Sequence, residues 1–266
     1  MKLIRKTPLA ALFLGLALAA PAQAQTGDIA FEGRYAAYAR GIEAGVFNYR
    51  LNKSGSAYQI SAERRLTGFV ATLAGRNQDY TYTVRGAVGR DGTLQTRAYQ
   101  HQGGRRGSDR PNGRIVRAAF SADGVDTTAD PAGMGMGDPP ATAAQKRGVV
   151  DQLTAIANLM ITSGDPCDGT QRVYMDGRSR FDFVLTPNGR VNANTPGYRG
   201  EVLRCSVQFR PIAGFSDPQE AATLTFLFAR TEAGVYAPVQ IEMPTNDAGV
   251  VRLQARRLTV NGAALR

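Results

Sequence analysis

From Ile29 onward apolar and polar residues alternate with a period of two, the pattern of strands that bury one face and wet the other. Phe31, Gly33, Tyr35, Ala37 and Ala39 alternate with more polar neighbours, Gly41 breaks the run, and Phe47, Tyr49 and Leu51 resume it opposite Val46, Asn48 and Arg50. Residues 29–51 therefore predict a hairpin. Tyr58, Ile60 and Ala62 continue the pattern after Ser54-Gly55-Ser56, and Tyr80, Tyr82 and Val84 repeat it with Thr81, Thr83 and Arg85 on the other face. Residues 66–73 fit a short helix or an apolar strand end equally well. Further strands are expected at 94–100, 115–120, 172–175, 181–185, 200–210, 224–228, 236–243 and 250–260.

Turn chemistry separates these runs. Asp176-Gly177 suits a two-residue hairpin turn, because both positions need positive φ, which glycine takes freely and aspartate tolerates. Pro187-Asn188-Gly189, Ser216-Asp217-Pro218 and Asn246-Asp247-Ala248-Gly249 are expected to mark further reversals. Residues 129–141, rich in glycine and proline, cannot continue a sheet and read as a linker. The period then changes once. From about Ala143 to Ile161, Val150, Leu153, Ala157 and Met160 fall at helical spacing with Ile156 beside them, and Gly164 and Pro166 stop the run. One helix laid on the sheet as a lid is expected.

The first 24 residues stand apart from this fold. Lys2, Arg5 and Lys6 precede an apolar run from Leu9 to Ala20, and Ala22-Gln23-Ala24 follows, which is the order of a secretory signal peptide cleaved after Ala24. A dozen apolar residues fall short of the roughly 20 that span a bilayer as a helix, so no stable membrane anchor is expected. Residues 25–266 then form a single β-rich exported domain, and the expected location is the periplasm. Cleavage removes three positive charges from a chain of net charge +10, and the remainder is still basic. For an exported protein that charge suits a lipid or another cell-envelope component, and the compartment argues against nucleic acid.

The only two cysteines, Cys167 and Cys205, are 38 positions apart. Outside the reducing cytosol the simplest reading is a structural disulfide, with two unpaired thiols as the alternative. It would tie the helix exit to the strand that carries Cys205.

Candidate chemistry is sparse. Arg105, Arg106 and Arg110 lie in a glycine-rich stretch without apolar anchors, which reads as a hairpin tip or as an anion-binding loop. The single histidine, His101, adjoins that stretch and reads as a surface residue. Asp165, Asp168, Asp176 and Asp182 are the densest carboxylate group, and turns account for two of them. A calcium site on Asp165 and Asp168, or a hydrolase or cell-wall-modifying enzyme with a carboxylate site near Asp165 to Asp182, are the alternatives. No nucleophile with an oriented base is recognisable, so no catalytic residue, no cofactor and no metal is assigned, and the chain is expected to be non-enzymatic.

The helix beginning near Val150-Asp151, the Cys167-Asp168-Gly169-Thr170 run, the Asp176-Gly177-Arg178 hairpin and Cys205 before Pro211-Ile212-Ala213-Gly214 occur in one order. With Tyr38-Ala39-Arg40-Gly41-Ile42-Glu43-Ala44-Gly45 and Tyr236-Ala237-Pro238-Val239, they give a chain that resembles domain-of-unknown-function family 3108, exported proteobacterial proteins of mostly undetermined role. The resemblance implies a strongly curved antiparallel sheet, a half-barrel or open barrel, with the helix packed against it, similar in shape to periplasmic lipoprotein carriers. It carries over no catalytic residue. The expected function is a cell-envelope protein that binds an apolar or amphipathic, lipid-like ligand or an envelope partner on that sheet; the alternative is a structural envelope module without a small ligand.

Overall fold

The computed structural model describes residues 27–67, 78–105, 113–245 and 249–265. The expected signal peptide, Arg106 and Arg110 of the candidate anion-binding loop, most of the ambiguous 66–73 stretch, and Asn246, Asp247 and Ala248 lie outside them.

Two antiparallel meanders make the fold. The N-terminal one comprises β1 (Ile29–Ala39), β2 (Ile42–Ser54), β3 (Ala57–Leu66), β4 (Gln78–Val88), β5 (Leu94–Arg105), β6 (Arg114–Phe120) and β7 (Val125–Asp130). After the single described helix, α1 (Gln152–Ile161), the C-terminal one comprises β8 (Gly169–Met175), β9 (Ser179–Thr195), β10 (Tyr198–Ala213), β11 (Ala222–Arg230), β12 (Tyr236–Thr245) and β13 (Gly249–Val260). A two-residue strand, β14 (Ala263–Ala264), pairs with β13. The first strand pairs with the thirteenth, so both meanders join in one sheet of order β7-β6-β5-β4-β3-β2-β1-β13-β12-β11-β10-β9-β8.

This order corrects the expected strongly curved half-barrel or open barrel. The sheet is open, with β7 and β8 as its two edges, and no ladder joins them among the described residues. The reason lies in the connectivity. Every strand is paired to its sequence neighbour, β1 and β13 use each other's remaining edge, and residues 131–168 pass between the edge strands as loop and helix instead of supplying a closing strand.

The period of two is visible in the burial of β1 and β3, where Phe31, Tyr58 and Ile60 are buried and Glu32 and Gln59 are exposed. Two local readings change. Pro187-Asn188-Gly189 is no reversal: β9 runs through it, and Asn188 and Gly189 together oppose Arg204 in a bulge. Gly189 takes its positive φ of 75° there, and the Arg204 Nε donates to the Asn188 carbonyl at 3.0 Å. The chain reverses later, at Pro196-Gly197. Strand β7 was not expected, because Val125-Asp126-Thr127-Thr128-Ala129-Asp130 has one large apolar residue, as suits a short edge strand.

The helix is also shorter than its period suggested. Its N-cap is Asp151, and residues 143–150 are turns followed by extended chain. Val150 is held out of the helix by a parallel bridge to Val173: its N–H donates to the Arg172 carbonyl at 3.0 Å and its carbonyl accepts from Tyr174 at 2.9 Å. The other three expected lid residues, Leu153, Ala157 and Met160, are buried on α1, as is Leu159. Cys167 and Cys205 form the disulfide, with Cα atoms 5.0 Å apart. It joins the exit of α1 to β10 across 38 residues, and closing such a loop stabilises by roughly 3–4 kcal/mol in the chain-entropy model.

Candidate functional site

The best-formed chemistry gathers around the N-terminus of α1. Asp151 is fully buried, and its Oδ1 accepts from the Leu153 and Thr154 backbone N–H groups at 2.9 and 3.2 Å, capping the helix. Its Oδ2 accepts from the hydroxyls of Thr154 (2.5 Å) and of Thr96 on β5 (2.7 Å). Burial pushes this carboxyl above the ordinary aspartate range, against the pull of the four donors. With the Thr154 proton given to Asp151, the Tyr58 hydroxyl on β3 donates to Thr154 Oγ1 at 2.8 Å. Tyr49 on β2 donates to the Leu153 carbonyl at 3.1 Å, and the Asn158 amide exchanges two hydrogen bonds with the backbone of Leu94, at 2.7 and 3.1 Å. The helix is thus pinned to the N-terminal meander by side-chain hydrogen bonds.

A second polar group lies beside it. The β8–β9 turn, with Asp176 at φ 52° and Gly177 at φ 73°, is closed by the Arg178 N–H donating to the Met175 carbonyl at 3.0 Å. Gly177 is required twice over, since a Cβ there would meet the Thr127 and Val116 methyls at 2.7 and 2.8 Å. This close approach carries Asp176 to β5, where the Tyr99 hydroxyl donates to Asp176 Oδ1 at 2.7 Å. The Gln152 amide donates to both, at 2.8 Å to Tyr99 and 2.9 Å to Asp176. His101 Nδ1 lies 3.2 Å from the Tyr99 hydroxyl, and because that hydroxyl's proton goes to Asp176, the Nδ1–H tautomer fits the network. Burial lowers the His101 pKa below its ordinary value, with Asp176 opposing. His101 is therefore no free surface residue. Its side chain is 12% exposed, among the rings of Tyr80, Tyr82 and Tyr99.

Between this polar group and the C-terminal meander runs a cleft of about 370 Å³. Gln152, Leu153 and Ile156 form its helix side. Tyr35, Phe47, Tyr49 and Tyr82 line it from β1, β2 and β4, and Phe181, Phe183, Phe226, Ile241 and Met243 from β9, β11 and β12. Phe47, Ile156, Phe183, Ile241 and Met243 are only half-buried, so α1 leaves this apolar surface partly uncovered. Asp176 and Arg64 supply the charged groups. Burial raises the Tyr82 hydroxyl to about 12, so it stays protonated at neutral pH.

The four aspartates that cluster in the sequence divide: Asp165 and Asp168 stay together in the loop after α1, where the Asp168 N–H donates to the Asp165 carbonyl at 3.2 Å and both line a pocket with Asp91. Asp165 Oδ1 accepts from the Cys167 N–H at 2.8 Å within its own loop, Asp168 is exposed, Asp182 pairs with Arg180 at 2.7 Å, and only Asp176 reaches the cleft. No group of three or more histidine, cysteine, aspartate or glutamate side chains is placed to hold a metal ion among the described residues. Of the candidate anion-binding arginines, Arg105 is the last residue of β5. No helix among the described residues is long and apolar enough to cross a membrane.

Sequence reasoning missed Tyr99, Gln152 and Arg64. Tyr99 and Arg64 sit at ordinary strand positions and Gln152 at an ordinary helix position, and the one usable signal was Asp176-Gly177, whose tight turn brings the group together. The model of a family described as "Protein of unknown function (DUF3108)" matches residues 34–256, and the chain belongs to that family. No curated protein matches the chain.

Proposed function

We propose that this chain is a non-enzymatic periplasmic protein of the cell envelope that binds a lipid-like, amphipathic ligand in the cleft beside α1. One observation carries the reading: an apolar cleft of about 370 Å³, lined mainly by aromatic and aliphatic side chains, with its charged groups confined to Arg64 and Asp176. Small-molecule sites have this composition, and their volumes run from roughly 300 to 1,000 Å³. The periplasmic part is supported by the leader-like first 24 residues together with the disulfide, which belongs to an oxidising compartment. The non-enzymatic part is supported by the hydrogen bonding of Asp176 Oδ1, which Tyr99 and Gln152 occupy, with His101 Nδ1 3.7 Å away and no serine or cysteine in the network.

A structural module without a small ligand is the competing reading, favoured by the number of hydrogen bonds that hold α1 in place. Native mass spectrometry of protein purified from the periplasm separates the two. A mass excess that disappears on denaturation is the expected result. A bare mass, together with failure to take up any added single-chain amphiphile, sinks the ligand-binding reading in favour of the structural one.

A further inference from the structure

We infer that the ligand of this cleft carries a negative head group, a carboxylate or a phosphate, and that Arg64 reads it. The inference rests on the proposed function above and names its ligand class. Arg64 lines the cleft from β3, exposed, with its guanidinium carbon 4.3 Å from the centroid of the Tyr80 ring on β4. A guanidinium held over a ring face keeps its N–H donors available, and a guanidinium can engage a carboxylate or phosphate with two parallel hydrogen bonds. Most other arginines near carboxylates are spent: Arg50 pairs with Glu32, Arg65 with Glu63, Arg180 with Asp182, Arg190 with Glu201, Arg252 with Glu242 and Arg256 with Glu43. Arg64 forms no ion pair or hydrogen bond with any described residue, and its guanidinium sits over the Tyr80 ring.

The cleft's carboxylate is differently placed. Asp176 turns Oδ1 inward, where Tyr99 and Gln152 saturate it, and serves to hold the β8–β9 turn against α1. Its side chain remains 40% exposed, so the cleft carries one charge of each sign, and Arg64 is the one whose hydrogen-bond donors have no partner among the described residues. Behind it the apolar wall continues through Phe47, Phe183, Ile241 and Met243, so an acyl chain would lie along the phenylalanine side with its anion returned to Arg64.

The test uses the full exported chain, titrated calorimetrically with four probes of equal tail length below their micelle concentrations: dodecanoate, dodecyl phosphate, dodecanol and dodecyltrimethylammonium. At least one of the two anions is expected to bind roughly tenfold more tightly than the alcohol and the ammonium. The tighter anion identifies a carboxylate or a phosphate source, and the gap should narrow with salt. Arg64→Gln is expected to bring anion and alcohol to equal affinity while leaving the alcohol unchanged, and Arg64→Glu to favour the ammonium. Arg64 is exposed, so both variants should fold, which far-ultraviolet circular dichroism verifies. Equal affinity for all four probes in the native chain, or an anion preference that survives Arg64→Gln, overturns the assignment of Arg64 while leaving the cleft as a binding site. Absence of binding by all four probes overturns the proposed function itself.

Discussion

The two meanders grip α1 in different ways. The N-terminal meander presents tyrosines: Tyr49, Tyr58 and Tyr99 each place a ring in the core and a hydroxyl on the helix or on the turn beside it. The C-terminal meander presents phenylalanines, with Phe181, Phe183 and Phe226 in a chain of ring contacts at 4.9 and 5.8 Å that has no polar tip. Hydroxyls fix position and register, because each demands a partner in one direction. Bare rings exclude water without specifying a position. The first meander thus locates the helix through tyrosine hydroxyls, while the second holds it through the Val150–Val173 bridge, the Gln152–Asp176 hydrogen bond and apolar packing. The disulfide adds a covalent tie between the helix exit and the C-terminal meander.

Breaking the phenylalanine side should have the largest effect. Phe226→Ala, at a buried position that also lines the cleft, is expected to cost about 3–5 kcal/mol of stability in urea unfolding, with part of the loss recovered on adding an apolar ligand that fills the space. A cost below about 1 kcal/mol would show that this wall is loosely packed. Next comes the covalent tie: replacing Cys167 and Cys205 with alanine should lower stability by roughly 3–4 kcal/mol, read as a lower unfolding midpoint.

On the tyrosine side the effects are smaller and more specific. Asp151→Asn keeps the cap's shape and removes its titration. Because burial raises the Asp151 pKa in the folded state, the unfolded chain releases this proton at lower pH than the folded one. The group's contribution is therefore complete below about pH 4, the ordinary aspartate value, and is lost as pH rises through the folded-state pKa. The native chain should lose stability relative to the asparagine variant as pH rises from 4 toward neutrality. A gap between the two that is constant with pH would contradict that direction. Tyr49→Phe should have the smallest effect, about 1 kcal/mol for one hydrogen bond to the Leu153 carbonyl, with the ring's packing retained.

Much of this architecture was legible in the chain. The alternation around Phe31, Tyr49 and Ile60 located β1 to β3, the turn residues located the β8–β9 hairpin, and two cysteines in an exported-type chain indicated the disulfide. The failures have physical causes. Asn188-Gly189 has the φ demands of a turn, and a bulge meets the same demands without reversing the strand. Val150 has helical spacing to Leu153 and Ala157, yet a bridge to Val173 holds it extended. His101 was read from its neighbours in sequence, while its burial comes from Tyr80 and Tyr82 on the adjacent strand.

The sequence by itself determined what depends on near neighbours and composition: strand periodicity, the stop of the helix, the disulfide partners and the family. Tertiary structure decided what depends on which distant edges meet. Pairing of β1 with β13 made one open sheet of two meanders, when a half-barrel was equally compatible with the same strands. Seating the Asp176 turn against β5 and the helix brought Tyr99, Gln152 and Asp176 together, and put Arg64 of β3 at the same cleft as Phe183 of β9. Arg64 and Phe183 are more than a hundred positions apart in the chain. Only packing, which is blind to sequence separation, makes them neighbours.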